Sequence, residues 1–479
     1  MRIIYNIENA ISKSLRASIC LLLVFAFCVI GYSQSRIDKV IDNDWKFTRE
    51  NDTAAEAVKY PDSHWQKISI PHTWNARDGQ DGGNDYYRGY GWYRKCLKVE
   101  SKLSDKNIYL KFDGVATAAY VYVNGKLAGS HRGNFGAFCL DVTNIVNFGK
   151  TNLVAVKVCN AKDTTVAPLR GDFTIFGGIY RSVHLLALDK LCLSPLDYAS
   201  SGVYVKQSEV NNESAKLEVT TVVRNASGIE KNAVVRCTVL DSKGNAVERT
   251  ESKFFIPPTS QQNSYQNVLI NSPHLWNGRL DPYLYKVTVE VLENDQVVDK
   301  VQESIGLRYY SVDPNKGFFL NGKPYRLFGV NRHQDREDKG WAIGIKEHKE
   351  DFELIKELGC TAVRLAHYQQ AKEFYELFDR SGIIVIAELS LVDEINMCKA
   401  FSSNVKEQLS ELIKQNFNHP SITFWSIFNE LMPEPNREAY GKLVSDLNTL
   451  AKQLDPTRPT VMASRAKYDG NEYINTVTD

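Results

Sequence analysis

The sequence predicts a multidomain protein in which two β-sandwiches precede a domain of alternating strands and helices. Three observations lead to this fold class: a length of 479 residues, a change in hydrophobic periodicity near residue 320, and polar side chains at the ends of successive strands after it. At roughly 150 residues per domain, the length allows about three domains. A hydrophobic share of 43% with 24% charged residues indicates a globular chain.

The composition also limits the classes of partner. Lys and Arg number 58 against 57 Asp and Glu, and no basic run occurs, so the sequence does not resemble that of a nucleic-acid-binding protein. An aromatic share of 11% favours sheet-rich structure and surfaces on which flat ligands stack. Carbohydrate is one such ligand.

The first 33 residues have the pattern of a signal peptide. Basic residues precede an apolar run, Ile19–Ile30, and the small residues Gly31 and Ser33 stand ahead of Gln34. An apolar run of this length is too short to span a bilayer, for which about 20 residues are needed. We therefore expect export to the periplasm or the extracellular space, without a membrane span.

The cysteines that follow this segment show no paired spacing. They are Cys96, Cys139, Cys159, Cys192, Cys237, Cys360 and Cys398. An odd and scattered set predicts neither a disulfide framework nor a zinc site, and we interpret these residues as small core side chains.

Residues 34–195 are predicted to form the first β-sandwich. Short alternating strands are separated by turn signals, and Asn124-Gly125 between two such strands predicts a tight hairpin because both residues tolerate positive φ. Four tryptophans lie in the early strands, at positions 45, 65, 74 and 92. We interpret them as sandwich core, with sugar stacking as the alternative.

Residues 196–307 are predicted to form a second, immunoglobulin-like sandwich. Apolar residues alternate with polar ones in two strands, around Leu217–Val223 and Tyr285–Val291, which gives each strand one buried and one solvated face. About 110 residues of this kind fit such a sandwich. The Asn and Ser cluster at 259–272 is predicted to be a loop.

Residues 308–479 alternate between strands and helices. The predicted strands are Tyr325–Val330, Ala362–Leu365, Ile383–Ala387, Ile422–Phe428 and Thr460–Ala463, and the predicted helices cover about 347–359, 370–381, 404–417 and 436–453. This alternation predicts a parallel sheet, either an open doubly wound one or a (β/α)8 barrel. Neither a dinucleotide-binding fingerprint nor a phosphate-binding loop supports the open sheet.

The ends of the strands favour the barrel. Asn331 to Gln334 follow the first strand, Arg364 and His367 belong to the second, Glu388 follows the third, and Asn429-Glu430 end the fourth. Barrel enzymes place their chemistry at the carboxyl ends of their strands. About five of eight strands fit between Tyr325 and the last residue, against roughly 250 residues for a whole barrel, so we expect the barrel in this chain to be incomplete.

Two carboxylates are candidates for acid and base chemistry. A carboxylic acid in apolar surroundings keeps its proton and can pass it to a leaving oxygen, as in glycoside hydrolysis. Glu430 follows the apolar run Ile422–Phe428, so we expect it to be the acid; a salt bridge at the barrel rim is the alternative. Glu388 is either a substrate contact or a residue that positions a neighbouring arginine or histidine.

Three further side chains are expected at the same mouth. His333 and His367 are candidates for sugar contacts, with a structural role as the alternative for each. Arg364 is a candidate contact or only a charge partner of the carboxylates.

Several motifs in order resemble a known family. They are Gly329-Val330-Asn331-Arg332-His333, Val363-Arg364-Leu365-Ala366-His367-Tyr368, Asn418-His419-Pro420-Ser421-Ile422 and Asn429-Glu430, and upstream Pro71-His72-Thr73-Trp74, Gly91-Trp92-Tyr93-Arg94, Val123-Asn124-Gly125, Gly177-Gly178-Ile179-Tyr180-Arg181, Leu275-Trp276 and Pro282-Tyr283-Leu284-Tyr285. They are similar to the signatures of glycoside hydrolase family two, the β-galactosidase, β-glucuronidase and β-mannosidase group. The resemblance covers the chain from about residue 40 to its end. It implies a jelly-roll sugar-binding domain, an immunoglobulin-like domain and a TIM barrel.

The resemblance also implies roles for the candidate residues. Glu430 is expected to be the general acid and base of a retaining exo-β-glycosidase, and Asn429 to hold the 2-hydroxyl of the sugar. The sugar subsite is expected to include His333, His367, Arg364 and Glu388. Asp172 is expected to reach in from the first domain to bind hydroxyls, with an ordinary loop aspartate as the alternative.

The exported address and the Asn-Arg-His-Gln sequence fit a bacterial β-galactosidase best. β-Glucuronidase and β-mannosidase specificity are the alternatives, and the carboxylate-recognising motif of the glucuronidases lies beyond the region present. Two other classes stay open, a carbohydrate-binding protein without turnover and a half-protein that pairs with a separately encoded remainder. A homo-oligomer is compatible with the sequence.

Two departures from the family pattern accompany this prediction. In metal-dependent β-galactosidases a glutamate and a histidine after the third-strand carboxylate help to bind a divalent cation, but here Glu388 is followed by Leu389-Ser390-Leu391-Val392-Asp393, so that metal site is not expected. No cofactor is predicted, and a divalent cation is an option that the family leaves open. The nucleophilic glutamate of a later strand has no match, because Glu472 follows the fifth strand too closely and lacks an apolar strand before it. We expect no hydrolysis of chromogenic β-galactosides by these 479 residues alone.

Overall fold

The structure, a computed structural model, describes residues 36–78, 86–432, 437–465 and 477–479. The predicted signal peptide and Glu472 lie outside the described residues. Within the described part of the chain, no helix is both long and apolar enough to cross a membrane.

The N-terminal region folds as a β-sandwich, as predicted. Its strands β1 to β12 are Arg36–Val40, Trp45–Thr48, Gln66–Ile68, Tyr90–Lys98, Asn107–Phe112, Val115–Ala116, Ala118–Val123, Lys126–Arg132, Phe138–Asp141, Thr151–Cys159, Gly178–Ile179 and Val183–Leu188, with a 3-10 helix at Ser101–Leu103. One sheet has the order β1-β12-β5-β9 and the other the order β3-β2-β4-β10-β7-β8, while β6 pairs with β11. All of these pairs are antiparallel.

The tryptophans and the hairpin turn of this sandwich are where the sequence predicts them. Trp45, Trp65, Trp74 and Trp92 are all buried, so their interpretation as core is confirmed. Asn124 and Gly125 have φ values of 53° and 79° between β7 and β8. That pair of positive φ values is the two-residue hairpin geometry that the Asn-Gly sequence favours.

The second sandwich contains strands β13 to β20. They are Leu191–Leu193, Val203–Ser208, Ser214–Asn225, Lys231–Leu240, Ala246–Ile256, Ser260–Asn271, Tyr285–Glu293 and Gln296–Ile305, with a 3-10 helix at Gly278–Leu280. One sheet has the order β13-β15-β14 with β18 added on β15, and the other has the order β17-β16-β19-β20. The immunoglobulin-like sandwich is therefore confirmed.

The predicted loop at 259–272 is wrong, because Ser260–Asn271 forms β18 and pairs with β15 along its whole length. Alternate side chains from Ser264 to Ile270 are buried and their neighbours are exposed. The inward polar groups have partners, since Gln266 Nε2 donates to the Val235 carbonyl at 3.0 Å. The period-two pattern decided the structure here, whereas the Asn and Ser content suggested a loop.

The C-terminal region opens with a small antiparallel sheet and continues as a partial barrel. Strands β21 to β28 are Tyr310–Asp313, Gly317–Leu320, Lys323–Pro324, Gly329–Arg332, Ala362–Leu365, Ile384–Glu388, Ile422–Asn429 and Thr460–Ala463, and helices α1 to α4 are Ile345–Glu357, Lys372–Ser381, Lys399–Gln415 and Arg437–Leu454. The last five strands are parallel neighbours in chain order. This arrangement confirms the predicted incomplete barrel. The first barrel strand differs from the prediction, because it begins at Gly329 rather than at Tyr325.

All seven cysteines in the described part of the chain are free. Cys192, Cys237 and Cys360 are buried, whereas Cys96 is exposed. The interpretation as core side chains therefore holds for three of the seven.

Candidate active site

The parallel register brings polar side chains together at the carboxyl edge of the barrel strands. Asn331 at the end of β24 stands beside Arg364 of β25, and Glu388 at the end of β26 stands beside Ser426 of β27. Because parallel strands end at the same edge of a sheet, the side chains at and after these ends meet at one face.

A cavity of about 550 Å³ opens at this face. Six of the seven residues that the sequence singled out line it: Asp172, His333, Arg364, His367, Asn429 and Glu430. A cavity of this size with several converging polar groups is a typical small-ligand site.

Glu388, the seventh predicted residue, is fully buried and does not line the cavity. Its Oε1 lies 2.6 Å from His367 Nδ1, and its Oε2 accepts from Arg364 and from the Ser426 hydroxyl, the latter at 2.7 Å. Both oxygens are therefore engaged by protein groups. This geometry favours the alternative role of Glu388, a residue that positions Arg364 and His367, over a sugar contact.

The two terminal residues of the fourth barrel strand are arranged differently. Asn429 is buried, and its Oδ1 accepts a hydrogen bond from Arg364 Nη2 at 2.7 Å. This leaves the amide NH2 group at Nδ2 to donate to a ligand. Glu430 has a φ of 48°, an uncommon value for a residue other than glycine that costs on the order of 1 kcal/mol. Its backbone N–H donates to the Ala463 carbonyl at 2.8 Å, which holds this turn against the next strand.

The surroundings of Glu430 differ from the expectation. The strand before it is buried along its whole length, as the apolar run predicts, but the Glu430 side chain itself is exposed. The turn at the strand end takes this side chain out of the core and into the open cavity. The low-dielectric environment expected for the acid is therefore absent among the described residues.

Asp172 reaches the cavity on a loop of the first sandwich, as the family resemblance implies. Helix α3 of the barrel holds this loop: the Ala167 N–H donates to Asn404 Oδ1 at 3.1 Å, and Gln408 Nε2 donates to the Ala167 carbonyl at 3.0 Å. Asn134 of the first sandwich donates to the same carbonyl at 3.1 Å. The position of Asp172 therefore depends on contacts between two domains.

Aromatic side chains pack beneath the two histidines. Phe173, the residue after Asp172, lies 5.7 Å from the His333 ring and 6.3 Å from the His367 ring, measured between centroids. It also contacts Tyr368 edge to face. The loop that carries Asp172 is therefore packed directly against the residues with which it shares the cavity.

Arg181, from the Gly177 to Arg181 motif, connects the first sandwich to the barrel behind the site. Its Nη2 donates to Gln334 Oε1 at 3.0 Å and to the Gln369 carbonyl at 2.9 Å. Gln334 follows His333, so this contact fixes the loop at the end of the first barrel strand. The family resemblance includes this motif, but the sequence does not indicate that Arg181 contacts the barrel.

Two of the histidine nitrogens are occupied by protein groups. His333 Nδ1 lies 3.1 Å from the Tyr368 hydroxyl, and His367 Nδ1 is held by Glu388. Burial and the proximity of His367 lower the pKa of His333 below its ordinary value, so this ring is neutral at pH 7. Both rings keep Nε2 for a ligand.

Two arginines of the cavity were not predicted. Arg170 precedes Asp172 on the same loop, and Arg465 follows the fifth barrel strand, where it lies 3.9 Å from Asp393. Arg465 could have been found by the strand-end argument, since that argument applies to the fifth strand as well. For Arg170 the only signal in the sequence is its spacing from Asp172.

The segment after Glu388 does not carry the glutamate and histidine that the family resemblance associates with a divalent cation. Leu389, Leu391 and Val392 after Glu388 are buried apolar side chains. Apolar side chains offer no donor atom to a cation, so these residues do not fit that metal.

The fold and the site define a class of protein. A partial barrel and a β-sandwich together line a polar cavity, and a carboxylate at the end of a barrel strand faces that cavity. Three family models match the chain: "Glycosyl hydrolases family 2, sugar binding domain" over residues 38–189, "Glycosyl hydrolases family 2" over 201–308, and "Glycosyl hydrolases family 2, TIM barrel domain" over 312–478. The chain belongs to glycosyl hydrolase family 2.

Individual relatives support this membership. A β-glucuronidase of Bacteroides fragilis is 40% identical over 466 residues, which cover 96% of this chain and 64% of the relative. A β-galactosidase of Thermoanaerobacter pseudethanolicus is 29% identical over 423 residues, covering 87% of this chain and 54% of the relative. The crystal structure of a Bacteroides uniformis β-glucuronidase matches with a TM-score of 0.88 and 31% identity, covering 93% of this chain and 54% of that one. The chain thus spans between half and two thirds of the length of these relatives.

Proposed function

We propose that this chain carries the sugar subsite and the acid/base residue of a retaining exo-β-glycosidase that removes terminal β-linked glucuronic acid. The observation that carries the proposal is the pair Asn429 and Glu430 at a strand end, facing a cavity that also contains two imidazoles and a carboxylate. The family's nucleophilic carboxylate is expected on a later barrel strand.

Glu430 is the group proposed to move the proton. Its carboxylic acid protonates the glycosidic oxygen as the bond to the leaving group breaks, and its carboxylate then deprotonates the water that releases the sugar. Its exposure in the cavity allows both a leaving group and a water molecule to approach.

Asn429 is proposed to stabilise the transition state through the 2-hydroxyl. Because the amide oxygen of Asn429 accepts a hydrogen bond from Arg364, its amide NH2 group donates to this hydroxyl. Such a contact strengthens as the sugar ring becomes oxocarbenium-like. Arg364 acts through Asn429 here, and Glu388 acts through Arg364. Both are therefore positioning residues.

The remaining lining residues are proposed to bind the hydroxyls of the sugar. Asp172 accepts hydrogen bonds, and the Nε2 atoms of His333 and His367 accept or donate according to their tautomer. Three hydrogen-bonding groups on two domains suit an exo-acting site, in which one terminal sugar is held on several sides.

The proposed specificity differs from the β-galactosidase expected from the sequence, and it was one of the alternatives there. A named β-glucuronidase is 40% identical to this chain, whereas the named β-galactosidase is 29% identical. Within the cavity, Arg364 is paired with Glu388 and Arg465 lies near Asp393, whereas Arg170 forms no ion pair with any described residue. A uronic acid carboxylate would provide Arg170 with a partner.

A binding experiment tests the proposal with the 479-residue chain. Methyl β-D-glucuronide and methyl β-D-galactoside are titrated in turn by isothermal calorimetry, and the glucuronide is expected to bind about tenfold more tightly, since a charge-assisted hydrogen bond contributes over 1 kcal/mol. Asn429→Ala should weaken the binding of both sugars, while Asn245→Ala, in an exposed hairpin of the second sandwich, should not. Tighter binding of the galactoside would favour β-galactosidase specificity, and no binding of either sugar would contradict the proposal.

A further inference from the structure

Three potential metal ligands converge in the sugar cavity. Asp172, His333 and His367 each offer one ligand atom, and these atoms all lie within 4.8 Å of one another. The residues come from three separate segments: a loop of the first sandwich and the ends of two neighbouring barrel strands. Two ligand atoms on one Zn²⁺ ion lie at most about 4.2 Å apart, so a small side-chain movement would bring all three atoms onto a single ion.

The two imidazoles are held in the manner of metal-binding histidines. The buried carboxylate of Glu388 lies 2.6 Å from His367 Nδ1 and accepts its proton, so Nε2 is the nitrogen that faces away from this contact and is left for an ion. A carboxylate behind a ligating histidine fixes the tautomer and makes the other nitrogen a better donor. His333 Nδ1 lies 3.1 Å from the Tyr368 hydroxyl, which can accept the Nδ1 proton when the ring binds an ion through Nε2.

The donor set selects the kind of ion. Two neutral nitrogens and one carboxylate oxygen suit Zn²⁺ and its first-row neighbours, whereas Mg²⁺ and Ca²⁺ prefer a shell of oxygens. The charge of Arg364, which also lines the cavity, is compensated by Glu388 at 2.6 Å, and this reduces its repulsion of a dication. Three protein ligands facing a cavity leave the fourth position of a tetrahedral ion open.

We propose that Asp172, His333 and His367 form a binding site for a divalent first-row transition metal of the Zn²⁺ type, and that bound metal and bound sugar exclude each other. The exclusion rests on the proposed function, since it requires that the sugar occupy the same three residues. The proposed metal site itself does not depend on the proposed function.

The first experiment measures metal binding alone. The chain is treated with EDTA, dialysed and titrated with Zn²⁺ by calorimetry, and one site is expected. Asp172→Asn and His333→Ala should each weaken binding by at least about tenfold, and Glu388→Gln by about tenfold through its effect on His367. Asp172 is exposed, so its variant is expected to fold even if the buried ones do not. His274→Gln is the matched control, because His274 is an exposed histidine beside Asp281 in the second sandwich.

The absorption spectrum of bound Co²⁺ distinguishes this site from a metal site formed by cysteines. Co²⁺ in the same chain should give visible absorption bands without a thiolate charge-transfer band, and Asp172→Asn should weaken the Co²⁺ affinity by a similar factor. A thiolate band, or Zn²⁺ affinity that is unchanged in both Asp172→Asn and His333→Ala, would overturn the proposal. Either result would leave the glycosidase proposal untouched.

The second experiment tests the exclusion. Methyl β-D-glucuronide at saturating concentration should weaken the apparent Zn²⁺ affinity at least severalfold, and Zn²⁺ should weaken the binding of the glucuronide by the same factor, as linkage requires. Zn²⁺ binding that depends on Asp172 but is unaffected by a bound glucuronide would refute the exclusion and with it the placement of the sugar on these residues.

Discussion

The Nδ1 atom of His367 lies 2.6 Å from Oε1 of Glu388, a carboxylate with no solvent exposure. The other oxygen of Glu388 accepts a hydrogen bond from Arg364, and the same guanidinium donates to Asn429 Oδ1. One buried carboxylate therefore orients an imidazole and, through the guanidinium, the amide beside Glu430. The loss of Glu388 is therefore expected to affect both the stability of the protein and the geometry of the proposed site.

We expect Glu388→Ala to lower the free energy of unfolding by about 3 kcal/mol, because removing one member of a buried ion pair leaves the other charge uncompensated. Urea denaturation followed by tryptophan fluorescence measures the change. Glu376→Ala is the control: Glu376 pairs with Arg380 on the surface of α2, and its loss should cost less than about 1 kcal/mol. Equal losses for the two variants would contradict the central role of Glu388.

His184 in the first sandwich should make the stability of the protein depend on pH. Burial acts to lower the pKa of His184, but hydrogen bonds and charge interactions with Asp113 and Asp38 outweigh it and raise the pKa to about 9. Since the pKa of an unfolded histidine is about 6.5, this pairing should contribute its full stabilisation below pH 6.5 and lose it as the pH rises towards 9.

The measurement compares thermal unfolding of the wild-type chain and of His184→Gln between pH 6 and pH 9.5. The difference in unfolding midpoint should be largest at pH 6 and should shrink steadily at higher pH. His274→Gln, which removes an exposed pair with Asp281, should show a much smaller difference throughout. A difference for His184→Gln that grows with pH would show that the protonated ring is not the stabilising form.

Most barrel elements were predictable because their strands are mainly apolar and alternate with amphipathic helices. Ala362–Leu365 and Thr460–Ala463 have the bounds that the pattern gives. Ser260–Asn271 was missed because its inward positions include Ser264 and Gln266, so that composition and alternation disagreed. Buried polar side chains with hydrogen-bond partners cannot be recognised from the sequence of one strand, since their partners lie on others.

Polar residues at the strand ends indicate where the cavity lies, but not how its side chains are oriented. The pattern places Glu388 at the correct edge, yet whether a side chain at a strand end turns to the core or to the cavity depends on local geometry that the sequence does not reveal. The same applies to Glu430, which follows a buried strand but has a positive φ and an exposed side chain. Asp172 depends on how two domains pack, so only the family resemblance could indicate it.

We expect Arg170→Ala to weaken the binding of methyl β-D-glucuronide about tenfold and to leave that of methyl β-D-galactoside nearly unchanged. The reason is that a guanidinium without a carboxylate partner among the described residues gains one only from the charged sugar. Calorimetric titration of the 479-residue chain measures both affinities. Arg249→Ala, on an exposed strand of the second sandwich, is the control and should change neither. Equal weakening for the two sugars would mean that Arg170 does not recognise the carboxylate.

The role of Glu430 is tested in a polypeptide that continues this chain through a complete barrel. There, Glu430→Gln should lower kcat for an alkyl β-glucuronide by about 100-fold or more, because an alkoxide leaves poorly without a proton donor. For a nitrophenyl glucuronide the first chemical step should be nearly unaffected, since a nitrophenolate leaves without protonation, and an initial burst of nitrophenol should precede slow turnover. Stopped-flow absorbance and steady-state rates separate the two steps. A loss of equal size in the first step for both leaving groups would rule out general acid catalysis by Glu430 and would assign it a role in binding instead.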